Sequence, residues 1–186
     1  QAGKSRAVLD RLLHAQQAQK RVDDALATYL DILRLTPEAE VFKQFVAYLQ
    51  KNKSAAEAAK YLRAHDAQIH KSFQSSAAIA RAESASQAKD WTEAADAFDD
   101  AVKGGVKDPT LLYNMAVSLE QAGEAEKAVL AYQRYLQRSP NDAKAWHKVA
   151  ELQEKRGDTA GARATWEQIH QRNPKAEDPL LKLAAL

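Results

Sequence analysis

Cysteine is absent from the 186 residues, which excludes both a disulfide framework and a thiolate-bound metal. That absence is compatible with an oxidising compartment without requiring one. No apolar run approaches the ~20 residues of a membrane-spanning helix, and no secretory signal pattern is visible at the start. Charge of either sign is not in excess. Lysine and arginine number 27 against 25 acidic residues, a net charge of +2, too small to argue for nucleic acid or an anionic membrane surface. Glycine (6) and proline (5) are few and fall at intervals, as short turns between helices require.

Chemical motifs are missing as well. Gly104-Gly105 is not followed by the Lys-Ser/Thr of a phosphate loop, and no nucleophile elbow exists. His14, His65, His70, His147 and His170 lie on separate segments, none with a partner three or four residues away, so no zinc helix is built. Glu151 and Glu154 stand one helical turn apart on a charged face and read as solvated. The sequence thus predicts no catalysis, no metal and no cofactor.

What is present is a repeat. Residues 109–142 and 143–176 align without a gap. Ala116 falls on Ala150, Gly123 on Gly157, Ala128 on Ala162, Tyr132 on Trp166 and Pro140 on Pro174, the same interval separating every pair. A fixed period of this length, about 34 residues, is the mark of a helix–turn–helix array, in which each unit buries its apolar face on its neighbours. The reason for the residue types is packing. Two antiparallel helices approach closely only where side chains are small, so alanine occupies the crossing and a large ring fills the space beyond it.

Taken in order, a first unit (6–39) has Val8, Leu9, Leu12 and Leu13 at helical spacing, then Ala25 and Tyr29 on a second helix that Pro37 stops. Residues 40–74 form a divergent unit. Phe42, Phe45, Val46 and Leu49 recur at i, i+3, i+4 and i+7, and Ser54 with Glu57 reads as a capping box. An insertion is expected around 68–74, with His70 in place of the usual proline. The third unit, 75–108, returns to register through Ala82, Ala94 and Phe98. Asp90 with Glu93 reads as a second capping box, Lys103-Gly104-Gly105 as a helix stop, and Asp108-Pro109 as an N-cap and first helical residue. Asp178-Pro179 repeats that opening, so 177–186 is expected to be a short terminal helix covering the last repeat. Gln1 in place of Met reads as a processed or truncated piece of a longer protein.

These columns resemble the tetratricopeptide repeat (TPR) family. Trp146, Val149, Ala150, Gly157, Ala162, Trp166 and Pro174 match its motif in one unit. Leu112, Met115, Ala116, Leu119, Gly123, Ala128, Tyr132 and Pro140 match it in another. The resemblance implies an all-α, right-handed α-solenoid of about five repeats with a terminal helix, the whole of 1–186 forming one such domain. It implies a concave groove, lined by the first helix of each pair, that holds a protein or peptide partner. The expected groove residues are Ile79, Glu83, Tyr113, Asn114, Val117, Lys144, His147, Lys148 and Glu151. Members that clamp the acidic tail of heat-shock chaperones need two lysines, two asparagines and a further basic residue. Asn114, Lys144 and Lys148 fall on three of those positions, but Ile79 and Glu83 occupy the other two, and a carboxylate there repels an acidic tail.

The expected role is therefore a non-catalytic scaffold or adaptor assisting assembly of a larger complex. A holder of secreted or membrane protein segments is the alternative, and self-association through 180–186 a third reading. Nucleic acid is disfavoured because Asp10, Glu83 and Glu151 oppose a basic groove. The first two units offer Asp10, Arg11, His14, Gln17, Lys43, Gln44 and Lys51, all polar. Either a single partner sits chiefly on units three to five, or the first two units dock elsewhere, as on another copy. Composition points to a bacterial protein, with the periplasm or envelope the expected compartment.

Overall fold

A computed structural model describes residues 5–175 and 177–185. Among them it contains eleven α-helices, two short 3-10 turns and no strand. By internal contacts the chain forms two compact units, one ending at Val106 and the other beginning at Lys107.

The first unit holds α1 (Arg6–Ala18), α2 (Val22–Leu35), α3 (Ala39–Asn52), α4 (Ala55–Ala64), α5 (Gln74–Gln87) and α6 (Trp91–Lys103). Its core runs from Leu9 through Leu26, Tyr29, Phe42, Phe45 and Leu49 to Leu62 and Phe73. In the divergent pair, Ala58 and Leu62 are buried as their spacing requires. The capping box on Ser54 is complete, with each partner's side chain meeting the other's backbone N–H. The insertion appears as the two 3-10 turns, Asp66–Gln68 and Lys71–Phe73. There His70 caps the second turn, its Nδ1 accepting from the Ser72 N–H at 3.2 Å.

The α5–α6 pair packs almost wholly through alanine. Ala77, Ala82, Ala85, Ala94, Ala97 and Ala101 are all buried, and such small side chains let two helices approach closely. Between them lies a buried ion pair, Arg81 with Glu93, Nε to Oε1 at 3.0 Å. Arg81 also reaches Asp100 at 2.5 Å, and Arg63 of α4 pairs with Glu93. This corrects the reading of Asp90 and Glu93 as a capping box. Asp90 does accept from the Glu93 N–H at 3.2 Å, but the Glu93 carboxylate is drawn inward by the two guanidinium groups.

The second unit holds α7 (Pro109–Gln121), α8 (Ala125–Arg138), α9 (Ala143–Lys155), α10 (Thr159–Arg172) and α11 (Asp178–Ala185). Ala116, Ala128, Ala150 and Ala162 are fully buried, as are the rings of Tyr132 and Trp166. Asp108 caps α7 with Pro109 at its first turn, and Asp142 and Asp158 cap α9 and α10. The opening of α11 departs from the sequence reading. The Glu177 carbonyl, not Asp178, accepts the first N–H bonds, from Leu180 and Leu181.

One turn recurs five times, four of them within helix pairs. After α1, α5, α7 and α9 a left-handed residue closes the helix: Lys20, Lys89, Gly123 and Gly157. Each time the following N–H reaches back to the last turn, as in Asp90 N–H to Ala85 O and Glu124 N–H to Leu119 O, the Schellman termination. The sequence shows only the two glycines of this set. At the end of α6 the left-handed residue is Gly105 (φ 93°) rather than Gly104.

Candidate functional site

In the second unit, the first helices α7 and α9 bring Tyr113, Lys144, His147, Lys148 and Glu151 around one hollow of about 370 Å³, with Ala143. Five of the nine expected groove residues thus meet there. Asn114 and Val117 lie half-buried on α7 outside its lining. Ile79 and Glu83 belong to the first unit and line a different hollow, of about 460 Å³, between α3 and α5.

The walls of the second-unit hollow are set by contacts beneath them. Tyr113 packs edge-on against Tyr132 at 5.6 Å and Tyr135 at 5.2 Å, so its ring is fixed rather than free. His147 packs edge-on to Trp166 at 5.3 Å, its Nδ1 lies 2.7 Å from the Ala143 carbonyl, and its Nε2 lies 3.6 Å from Asp178 Oδ2. Lys148 donates to Glu120 at 2.8 Å, and that hydrogen bond holds its ammonium above the ordinary lysine range. Glu120 also accepts from the Tyr132 hydroxyl at 3.0 Å. Burial, then the Glu120 charge, pushes the Tyr132 hydroxyl far up. Lys144 and Glu151 remain exposed, one of each sign.

The arrangement repeats one period on. Glu154 accepts from Trp166 Nε1 at 2.5 Å and from Lys182 at 3.5 Å, as Glu120 does from Tyr132 and Lys148. Glu154 is therefore no solvated surface carboxylate, contrary to the sequence reading. It and Glu120 are the structural residues that reasoning from single segments missed. The signal was there: glutamate, ring and lysine recur together at the repeat interval.

The first-unit hollow changes the picture of a polar N-terminal face. Lys43, Gln50, Ser72, Ser76 and Glu83 form its rim, but Phe42, Val46, Phe73, Ile79 and Ala80 line it too. Phe42 and Phe73 stack at 4.9 Å. Phe42 was legible as a core residue; its second role depends on Phe73, which the 3-10 turn delivers. Among the described residues no cluster of three or more metal-ligating side chains forms, and no helix is long and apolar enough to cross a membrane.

Helix pairs repeated at a fixed period, with side chains gathered on their first helices, define a helical-repeat interaction scaffold. The chain belongs to the tetratricopeptide repeat family, whose model matches residues 79–143 and 113–179, together more than half of it. It is 33% identical over 64 residues to a TPR repeat-containing protein of Pseudomonas aeruginosa, a match covering 34% of this chain. The chain spans 61% of the length of that relative. Among solved structures it resembles MamA, with a TM-score of 0.57 at 15% identity over 91% of this chain and 92% of that one. It also resembles YrrB, a TPR protein with an unusual peptide-binding site, with a TM-score of 0.51 at 15% identity over 97% of this chain and 75% of that one. Likeness at such identities concerns the fold. That fold implies protein or peptide partners.

Proposed function

We propose that the chain is a non-catalytic adaptor that holds a segment of a partner protein against the first helices of its pairs. The observation carrying this reading is the convergence of Tyr113, Lys144, His147, Lys148 and Glu151 on one hollow. It is an open hollow on the helix surface, which suits side chains of a peptide better than a small molecule that needs enclosure. Its exposed charges are mixed, which favours a segment of mixed or no net charge over a strongly acidic tail. The apolar floor between α3 and α5 favours a second reading, in which the chain shields apolar segments before their assembly.

Affinity capture from bacterial lysate tests the first reading, comparing wild type with a variant carrying Tyr113→Ala and Lys144→Glu. Loss of the captured protein by the variant is expected, with helix content by circular dichroism unchanged. Equal capture by both would remove the hollow from the binding surface.

A further inference from the structure

The terminal helix α11 covers the last repeat, packing on α10. Set one full period after α9, it does so as a further first helix in register, as three correspondences show. Lys182 reaches Glu154 as Lys148 reaches Glu120. Pro179 is buried where Ala145 is buried. Leu183, in the place of Val149, packs on the Ala150, Ala162, Trp166 and Ile169 cluster.

Register then assigns the outward residues. Leu180 stands where Trp146 stands, on the side that a second helix covers; over Trp146 itself the Arg172 guanidinium of α10 sits at 4.2 Å. Leu181 stands where Tyr113 and His147 stand, both of which line the hollow. Leu181 is 69% exposed, and the His147–Asp178 approach of 3.6 Å brings the start of α11 beside α9.

We infer that the binding face of the second unit continues over α11, with Leu181 as a contact residue for the same partner segment. This rests on the adaptor reading above. First helices of successive pairs meet through side chains, as Lys148 meets Glu120. Each step is therefore no shorter than about 8–10 Å, the spacing of packed helices. Tyr113 and Leu181, two steps apart, are separated by at least roughly 20 Å. An extended chain needs at least about six residues to cover that. The occupant is accordingly an extended segment with two large apolar side chains at least about six residues apart. Polar residues lie between them, over His147 and the opposite charges of Lys144 and Glu151.

A phage-displayed library of random 12-residue peptides, selected on the whole chain, tests this. Enriched peptides carrying that apolar pair are expected. Their binding is expected to fall tenfold or more in Leu181→Asp, to weaken in Lys144→Glu, and to persist in Leu130→Asp, which alters a comparably exposed leucine of α8. Leu181→Gln should weaken binding less than Leu181→Asp, with both melting as wild type does. Peptides lost by Lys144→Glu but kept by Leu181→Asp would overturn the extension over α11 and leave the adaptor reading standing. Peptides indifferent to both, or no enrichment at all, would overturn both. Sedimentation showing a dimer that Leu181→Asp dissociates would assign the face to a second copy and overturn the inference.

Discussion

Lys20 and Lys89 occupy backbone positions with φ of 56° and 59°, where a side chain with a Cβ is strained. Gly123 and Gly157 fill the same turn elsewhere, which shows the residue the geometry favours. Relief of that strain, about 1–2 kcal/mol, outweighs the roughly 0.5–1 kcal/mol that glycine's extra freedom costs, so Lys89→Gly is expected to raise stability as measured by urea unfolding. Conversely, Gly123→Ala should lower it by roughly 1 kcal/mol. Tyr61 gives a pH test. Burial, then the Asp23 charge, pushes its hydroxyl up to about 12. The unfolded chain loses that proton near pH 10 while the folded chain keeps it, so stability falls as pH rises from 10 towards 12. Tyr61→Phe should melt much as wild type does at about pH 7 and show a smaller drop between about pH 9 and 12. A drop as large as wild type's would place the alkaline loss elsewhere.

At the scale of helices, the crossing of α7 and α8 depends on Ala116 and Ala128, both fully buried. Ala128→Leu is expected to overfill it, costing roughly 1–3 kcal/mol and lowering the melting temperature; an unchanged melt would mean the helices are not in close contact there. The α5–α6 pair adds a buried ion pair to its alanine crossing. Arg81→Leu leaves Glu93 with Arg63 alone and should cost about 3 kcal/mol, whereas adding Glu93→Leu should recover much of that. Helix positions and caps were largely legible because alanine columns, Pro37, Asp108-Pro109 and Ser54–Glu57 are local signals. The destination of the Glu93 carboxylate was not, since it is decided by Arg81 on α5 and Arg63 on α4, outside its own helix. The two lysine turns were hidden for a related reason: lysine carries no intrinsic preference for a left-handed backbone, and the surrounding Schellman bonds impose it.

For the whole molecule, family and fold class followed from one period, and the comparisons agree. The candidate site was legible in part. Residues of α7 and α9 could be placed together because they sit at equivalent positions in neighbouring repeats, and the structure gathers five of them. The apolar floor beneath Lys43 and Glu83 was not legible, because the 3-10 segment that brings Phe73 onto Phe42 breaks the period. Nor was the role of α11, whose register shows only when Glu120–Lys148 and Glu154–Lys182 are seen as one contact made twice. The most direct test of the central claim is amide hydrogen exchange of the whole chain with and without a selected peptide. The account predicts slowed exchange confined to first helices, with α7, α9 and α11 protected. Protection confined to α8 and α10 would contradict it.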